Sequence, residues 1–539
     1  MNKSEPSLFD YIIVGAGSAG CVLAARLSEN PNISVCLIEA GGPDKSVFIH
    51  APVGVAAMLP TKINNWAFKT TPQPGLNGRQ GYQPRGKTLG GSSSTNAMLY
   101  VRGNAWDYDN WASLGNEGWG YKDVLPYFKK SEGNESLQDS YHGATGPLGV
   151  TDPTDASNLN GMFIRSCEEH GIKQTSDYNG ASQTGSFMYQ RTIKDGERCS
   201  AAKAFLTPNM DRDNLTVITH ALTEKVLLDG KKAIGVRYKK NNVSVNIHCN
   251  REVILSGGAF GSPQVLMLSG IGESKHLTEK GITCVHDLPG VGQNLQDHID
   301  YVQTFKVDSN QDAFGISIKG GLSMLKSMFE WKRHRTGKIT SSLAESGAFF
   351  NTEENTVAPD AQFVFVPGIV DDHARKVNLG HGYSCHITVL RPESIGEVRL
   401  NSNKPEDSLL IDPQFLSHDK DLEVIVNGAK KMQTILEGQP FDPIRKSMLY
   451  SVNNDEQLMQ DIRNRADTQY HPCGTCKMGT EEDEMAVVNS NLEVYGMQGL
   501  RVVDASIMPK IVSGNTNAPT IMIGEKAADM ILAKHQKAI

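Results

Sequence analysis

The feature that most constrains this chain is Gly15-Ala16-Gly17-Ser18-Ala19-Gly20, a GxGxxG pattern between the apolar run Tyr11-Ile12-Ile13-Val14 and a helical stretch, Ser18–Glu29. A second apolar run, Ser34–Ile38, follows, and Glu39 stands 19 residues after Gly20. Unbroken apolar runs flanking a helical period read as a βαβ unit with buried strands. Each glycine has its own reason: the first turns the chain, the second lets a pyrophosphate approach the backbone, and the third lets helix pack on strand. The helix N-terminus then faces phosphate with partial positive charge. Glu39 is placed to accept hydrogen bonds from a ribose diol. The unit predicts a bound dinucleotide and does not by itself separate NAD from FAD.

The rest of the chain repeats this grammar and then leaves it. Glu252-Val253-Ile254-Leu255 is a second strand ending in Ser256-Gly257-Gly258-Ala259, with a helix expected from Ser262-Pro263. A strand, turn and strand are expected across Glu224–Tyr238, around Asp229-Gly230-Lys231-Lys232. Residues 305–465 have fewer glycines and alternating stretches at Gln362–Val366 and His386–Leu390, and the last 70 residues are glycine-rich again. At 539 residues the chain holds two or three domains. The pattern implies a nucleotide-binding body in discontinuous segments with a second domain inserted in it.

Charge and cysteine content exclude several classes. Lys plus Arg number 53 against 60 Asp plus Glu, a net charge of −7, the reverse of the basic footprint that phosphate backbones select, so nucleic acid is not an expected partner. Nine scattered cysteines suggest reduced thiols and a cytoplasmic setting. No stretch approaches the ~20 apolar residues of a membrane span. Leu322–Lys338 mixes Leu325, Met328, Phe329 and Trp331 with Lys326, Lys332, Arg333, Arg335 and Lys338. It reads as a substrate-domain surface helix, with peripheral contact on the cytoplasmic face of a membrane as the alternative.

Four further segments, in one order, carry a resemblance: Arg85-Gly86-Lys87-Thr88-Leu89-Gly90-Gly91-Ser92-Ser93-Ser94-Thr95-Asn96, Gly258-Ala259-Phe260-Gly261-Ser262-Pro263-Gln264, His471-Pro472-Cys473-Gly474-Thr475-Cys476, and Asp504-Ala505-Ser506 through Asn515-Thr516-Asn517-Ala518-Pro519-Thr520. With the first glycine pattern they resemble the glucose-methanol-choline (GMC) family of FAD-dependent oxidoreductases over essentially the whole chain, in particular its bacterial alcohol and choline dehydrogenases. The resemblance implies a mixed α/β fold (α/β with α+β character): a Rossmann-like FAD-binding domain over 1–155, 216–305 and 466–539, and a substrate-binding domain with an antiparallel sheet over 156–215 and 306–465. It puts Gly15, Gly17, Ser18, Ala19, Gly20, Glu39 and Ala40 on the ADP half of FAD. The loop of Arg85, Gly86, Leu89, Gly90, Gly91, Ser92 and Asn96, continuing through Ala97 and Met98, would follow the pyrophosphate and flavin. Val226 would meet the adenine through its backbone. Asp504 and Ala505 would approach the ribityl–pyrophosphate region, and Trp66, Ala259 and Thr520 also fall on the cofactor. Thr95 holds the place where some members attach FAD to a histidine, which implies non-covalent FAD.

Alcohol oxidation needs a base near the flavin, and imidazole, with a pKa of about 6.5, suits neutral pH. If the hydroxyl resembles water at about 15.7, the gap is roughly 9 units, or ~12 kcal/mol, so the developing alkoxide needs hydrogen bonding or concerted hydride loss. The resemblance makes His471 the base, Asn517 the second polar contact to the substrate oxygen, and Tyr470 a substrate neighbour. Asn517 also suits the start of a helix running to Leu532. Glu345 resembles the carboxylate that meets the cation in choline-oxidising members, although relatives acting on neutral alcohols share that sequence. Cys473 and Cys476 form a CxxC without a second pair, so no metal is expected, and the resemblance makes the two scaffold beside the base. The function implied is oxidation of a primary alcohol to an aldehyde, with electrons passed to a quinone or another acceptor. Choline dehydrogenase is the nearer alternative. A cyanohydrin lyase with a non-redox FAD is the alternative from another class, and a non-catalytic FAD-binding module the plainest one.

Overall fold

The computed structural model describes residues 7–308, 312–354 and 356–536. The first apolar run forms the strand Leu8–Val14, flanked in parallel by Val35–Ile38 and by the long strand Val243–Leu255. Leu215–Ile218 and Leu500–Val502 extend the parallel set at either side. Tyr11, Ile12, Ile13, Val35 and Leu37 are fully buried, as expected of parallel strands covered on both faces. The strand–turn–strand signal appears as Leu222–Asp229 paired with Lys232–Lys240, an antiparallel extension of the same sheet.

The helices Ser18–Leu27 and Asn517–Gln536 pack side by side although some 500 residues separate them. A Cβ on Gly524 would come within 3.1 Å of the Ala19 backbone, so glycine permits the close approach. Arg26 clamps the fully buried Glu525 with two hydrogen bonds of 2.8 and 2.7 Å. This packing brings both helix N-termini to one place.

The second body is an antiparallel sheet in the order Asp467–Thr468, Ile299–Val307, Gly380–Val389, Ala361–Val366, Ser346–Phe350 and Gly185–Met188. Alternation divides its faces. Phe363, Phe365, Cys385 and Ile387 turn to the helix Asp419–Leu436, whereas Val364, Val366 and His386 turn to a cavity. The expected division is corrected at three borders: the strands Ile299–Val307 and Asp467–Thr468 belong to the second sheet, and Leu215, expected in the second body, opens the strand Leu215–Ile218 of the first. Residues 1–6 and 537–539 of the expected first body lie outside the described residues.

The helix expected from Ser262-Pro263 begins earlier, at Gly258, with Pro263 inside it. Proline lacks the N–H that would bond the Ala259 carbonyl four residues back. The Thr475 hydroxyl supplies that bond instead, donating to Ala259 O at 2.6 Å.

Candidate active site

A cavity of about 680 Å³ runs between the two sheets. One end is made of backbone. Gly15 has φ +99°, and a Cβ there would sit 2.4 Å from Ser256 O, so the turn requires glycine. A Cβ on Gly20 would meet Gly15 O at 1.9 Å, which makes the third glycine a packing glycine. The helices Ser18–Leu27 and Gly258–Leu268 start after Gly17 and Gly257, which supply no side-chain cap, so apart from Gly258 N–H, which Asp504 takes, their first-turn N–H groups stay open to a ligand at the cavity. Asp504 binds this end together, accepting from Gly258 N (2.8 Å), Ser262 Oγ (2.6 Å) and Ser506 N (2.8 Å). Burial raises its pKa against those bonds. Glu39 accepts from Ala16 N (2.9 Å) and Gly41 N (2.7 Å) and keeps lone pairs for a diol.

The other end is made of side chains. His471 sits in an antiparallel crossing in which Gln296 and Cys473 exchange backbone bonds of 3.1 and 2.9 Å. Two residues back on one strand and two forward on the other are His471 and His298, which therefore face each other. Their Nδ1 atoms are 3.0 Å apart, and His298 Nε2 lies 2.9 Å from Leu390 O. A carbonyl accepts only, so His298 carries its proton on Nε2 and its Nδ1 accepts from His471 Nδ1–H. That leaves His471 Nε2 unprotonated at the cavity, where it accepts a hydrogen bond of 3.1 Å from Asn515 Nδ2.

The electrostatics keep this arrangement neutral. Burial, then His298, then Arg85 hold the His471 pKa well below its ordinary value. Burial lowers His298 to about 4. Behind them Asp297 accepts from His471 N (2.9 Å), Thr468 Oγ1 (2.5 Å) and Gln83 Nε2 (3.0 Å), and burial raises it to about 6. Arg85, lowered by burial to about 10, donates to Tyr470 O at 2.5 Å. Tyr470 has φ +72°, an uncommon conformation for a bulky residue, directly before the imidazole.

Family models of the GMC oxidoreductase N-terminal and C-terminal parts match residues 9–300 and 392–524. This chain belongs to the GMC oxidoreductase family. It is 46% identical to an alcohol dehydrogenase [acceptor] of Pseudomonas putida over 98% of this chain and 96% of that one. It is 42% identical to the mitochondrial choline dehydrogenase of Homo sapiens, over 97% and 89% respectively. Among solved structures, pyridoxine 4-oxidase from Mesorbium loti superposes with a TM-score of 0.87 at 30% identity, covering 97% of this chain and 98% of that one.

The GMC oxidoreductases are FAD enzymes, and this chain is an FAD-dependent oxidoreductase whose residues fit that cofactor. The glycine-led helix starts and Gly17, where a Cβ would meet only Ser256 O at 3.8 Å, leave backbone open to a diphosphate. Of the expected cofactor residues, Gly15, Gly17, Ser18, Ala19, Glu39, Ala40, Trp66, Arg85, Gly86, Gly91, Ser92, Asn96, Ala97, Met98, Ala259, Asp504, Ala505 and Thr520 line the cavity, as does Thr95. Gly20, Leu89 and Gly90 stand behind the lining: Leu89 is core, and Gly90 N donates to Ala16 O at 2.7 Å.

Three expected placements are corrected. Val226 does not reach the cavity, because its N–H donates to Ser269 Oγ at 2.8 Å; Ala221, Leu222 and Thr223 stand there instead. Asn517 is not the amide beside the base. It opens the final helix, where its Oδ1 accepts from Ser18 Oγ at 2.7 Å; the amide at His471 is Asn515. Glu345 is 1% exposed and turned away from the cavity, accepting from Ser157 N (3.0 Å), Asn160 Nδ2 (2.6 Å) and Ser341 Oγ (2.5 Å). Tyr470 lines the cavity as expected, its hydroxyl 2.5 Å from His373 Nδ1.

Sequence reasoning missed His298, Asn515 and Asp297. A signal existed for the first and last in the run Gln296-Asp297-His298-Ile299-Asp300, whose titratable groups are buried. Cys473 and Cys476 are free, buried and held as thiols, since burial raises both pKa values.

Proposed function

We propose that this chain oxidises a primary, predominantly apolar alcohol to its aldehyde. The observation that carries the reading is the unprotonated Nε2 of a neutral His471, in hydrogen-bond contact with the Asn515 amide, at a cavity end lined by Leu343, Val364, Val366, Ile369 and Val370. FAD, held without a covalent bond, supplies the acceptor for the hydride from the alcohol carbon. His471 Nε2 takes the hydroxyl proton, and the Asn515 N–H groups donate to the oxygen as its charge develops. The depressed pKa of His471 widens the ~12 kcal/mol gap to an alcohol. The proton therefore leaves only as the hydride does, and the amide lowers the remaining barrier.

The choline reading loses its carboxylate, because Glu345 spends its oxygens on internal donors. The lyase reading has no observation in its favour. For the electrons we propose a quinone or a comparable acceptor, reached with at most peripheral contact with a membrane. Among the described residues no helix is long and apolar enough to cross one. The scattered cysteines, Cys473 and Cys476 among them as buried thiols, support work in the reducing cytoplasm or on its side of a membrane.

The test is aldehyde production from straight-chain primary alcohols and from choline, with a soluble quinone analogue. The reading expects kcat/KM to rise with chain length and choline to stay near background. Preference for choline, or no oxidation of any alcohol, would overturn it.

A further inference from the structure

The helix Ile318–His334 is amphipathic, and it is mounted with its apolar face outward. Ile318, Leu322, Leu325 and Phe329, spaced four, three and four apart, form one stripe and are 88%, 64%, 54% and 76% exposed. Helices that rest on their own domain bury such a stripe. Here Met324, Ser327 and Trp331 face the body. Trp331 fastens the helix, packing with Ala51 and Ile339 and donating from Nε1 to Gly196 O at 2.7 Å. At 3.6 residues per turn, Lys319, Lys326 and Arg333 lie about 50–90° to one side of the stripe and Lys332 about 50° to the other. Among the described residues none of these four cations is in a recorded ion pair. They make a basic flank on a chain whose net charge is −7.

The patch continues around the cavity. Ile316, Met324 and Val377 line the cavity wall on this side, and Ile316, Val377 and Leu379 are 53%, 72% and 74% exposed. Lys376, which also lines the cavity and forms no ion pair among the described residues, adds a further cation there. An apolar stripe with cations along both flanks is the geometry of a helix lying in a membrane interface, with its apolar side among acyl chains and its lysines reaching the headgroups. The rim therefore joins exposed hydrophobic surface to local positive charge at the opening of the substrate cavity.

We propose that this face seats the cavity mouth on an anionic lipid bilayer. Docking in this orientation lets an apolar alcohol pass from the acyl region to the aliphatic end of the cavity without crossing water. That consequence rests on the alcohol reading above, whereas docking does not.

The test is co-sedimentation of the FAD-loaded enzyme with phosphatidylcholine vesicles made with and without phosphatidylglycerol, at low and high salt. The wild-type chain is expected to pellet with the anionic vesicles, less with the neutral ones, and less at high salt. The double variant Lys326→Glu/Lys332→Glu should lower the partition about tenfold or more, and Leu322→Asp/Phe329→Asp should abolish it. Both should keep wild-type turnover of a water-soluble alcohol with a soluble acceptor. That control also reports on the alcohol reading independently of docking. A wild-type chain that stays in the supernatant with anionic vesicles, or variants that pellet as it does, would overturn the proposal. So would a wild-type dimer that Phe329→Asp converts to monomer while vesicles bind neither, which would assign the face to a second copy.

Discussion

The two ends of the cavity are built by different means. At the dinucleotide end the ligand meets backbone: turns at Gly15 and Gly91 with positive φ, a close approach at Gly17, and two helix starts preceded by glycines that supply no cap. At the substrate end it meets side chains, and each is aimed by something distant in sequence. His471 is aimed by His298, 173 residues away, and Asn515 by the residues that lead into the final helix. A backbone-built site tolerates changes of side chain other than those that brace its helix starts, and fails when a Cβ is added. A side-chain-built site should behave the other way, losing chemistry on substitution while the fold and the cofactor remain.

The sharpest way to break this contrast is the pair Asn515 and Asn517, two residues apart and at opposite ends. Asn515→Ala should lower kcat/KM by about 10² by removing the donor to the developing alkoxide, with flavin content unchanged. Asn517→Ala removes the acceptor of the Ser18 hydroxyl and should weaken flavin retention while changing turnover per bound flavin little. Absorbance and steady-state rates together separate the two outcomes, and an exchanged pattern would break the assignment.

Gly15→Ala probes the backbone end alone. The new Cβ meets a backbone carbonyl at 2.4 Å in a left-handed conformation, a strain of about 1–3 kcal/mol. Purified protein should show a lower flavin-to-protein ratio and a lower Tm. Glu345→Gln probes a carboxylate that the structure removes from the substrate end. It weakens a buried acceptor of three hydrogen bonds, so about 1–3 kcal/mol of stability should be lost. The ratio of choline to neutral alcohol turnover should not move.

The smallest effect expected is in the pH profile. His471 acts as the neutral base, and its pKa is lowered, so the plateau of kcat/KM should extend below pH 6.5; an inflection at or above 6.5 would contradict the buried pair. Stability follows the same sign. Below pH 6.5 the unfolded chain binds protons that buried His471 and His298 refuse, so the native state should lose stability as pH falls from 6.5 towards 4.

The same contrast explains how much could be read in the sequence. Gly15, Gly17 and Gly20 were legible because a backbone requirement leaves a residue type at a fixed spacing, and Glu39 followed from the strand after them. His471 was legible as part of a resemblance. His298 was not, since only the Gln296–Cys473 crossing, between segments far apart in sequence, sets it opposite. Asn515 and Asn517 offered the same chemistry two residues apart, and the start of the final helix decides which one turns to the base. Glu345 precedes the strand Ser346–Phe350, and the turn into that strand directs its side chain away from the cavity. In the helix Ile318–His334 periodicity shows that one face is apolar and carries no information on which way that face is mounted.

The most direct measurement is anaerobic mixing of the enzyme with a primary alcohol, following the yellow flavin absorbance in the wild type and in His471→Ala. The account predicts that the wild type bleaches, and that the variant keeps its FAD but bleaches about 10²–10⁴ times more slowly. A variant that bleaches at the wild-type rate, or a wild type that no alcohol bleaches, would contradict it.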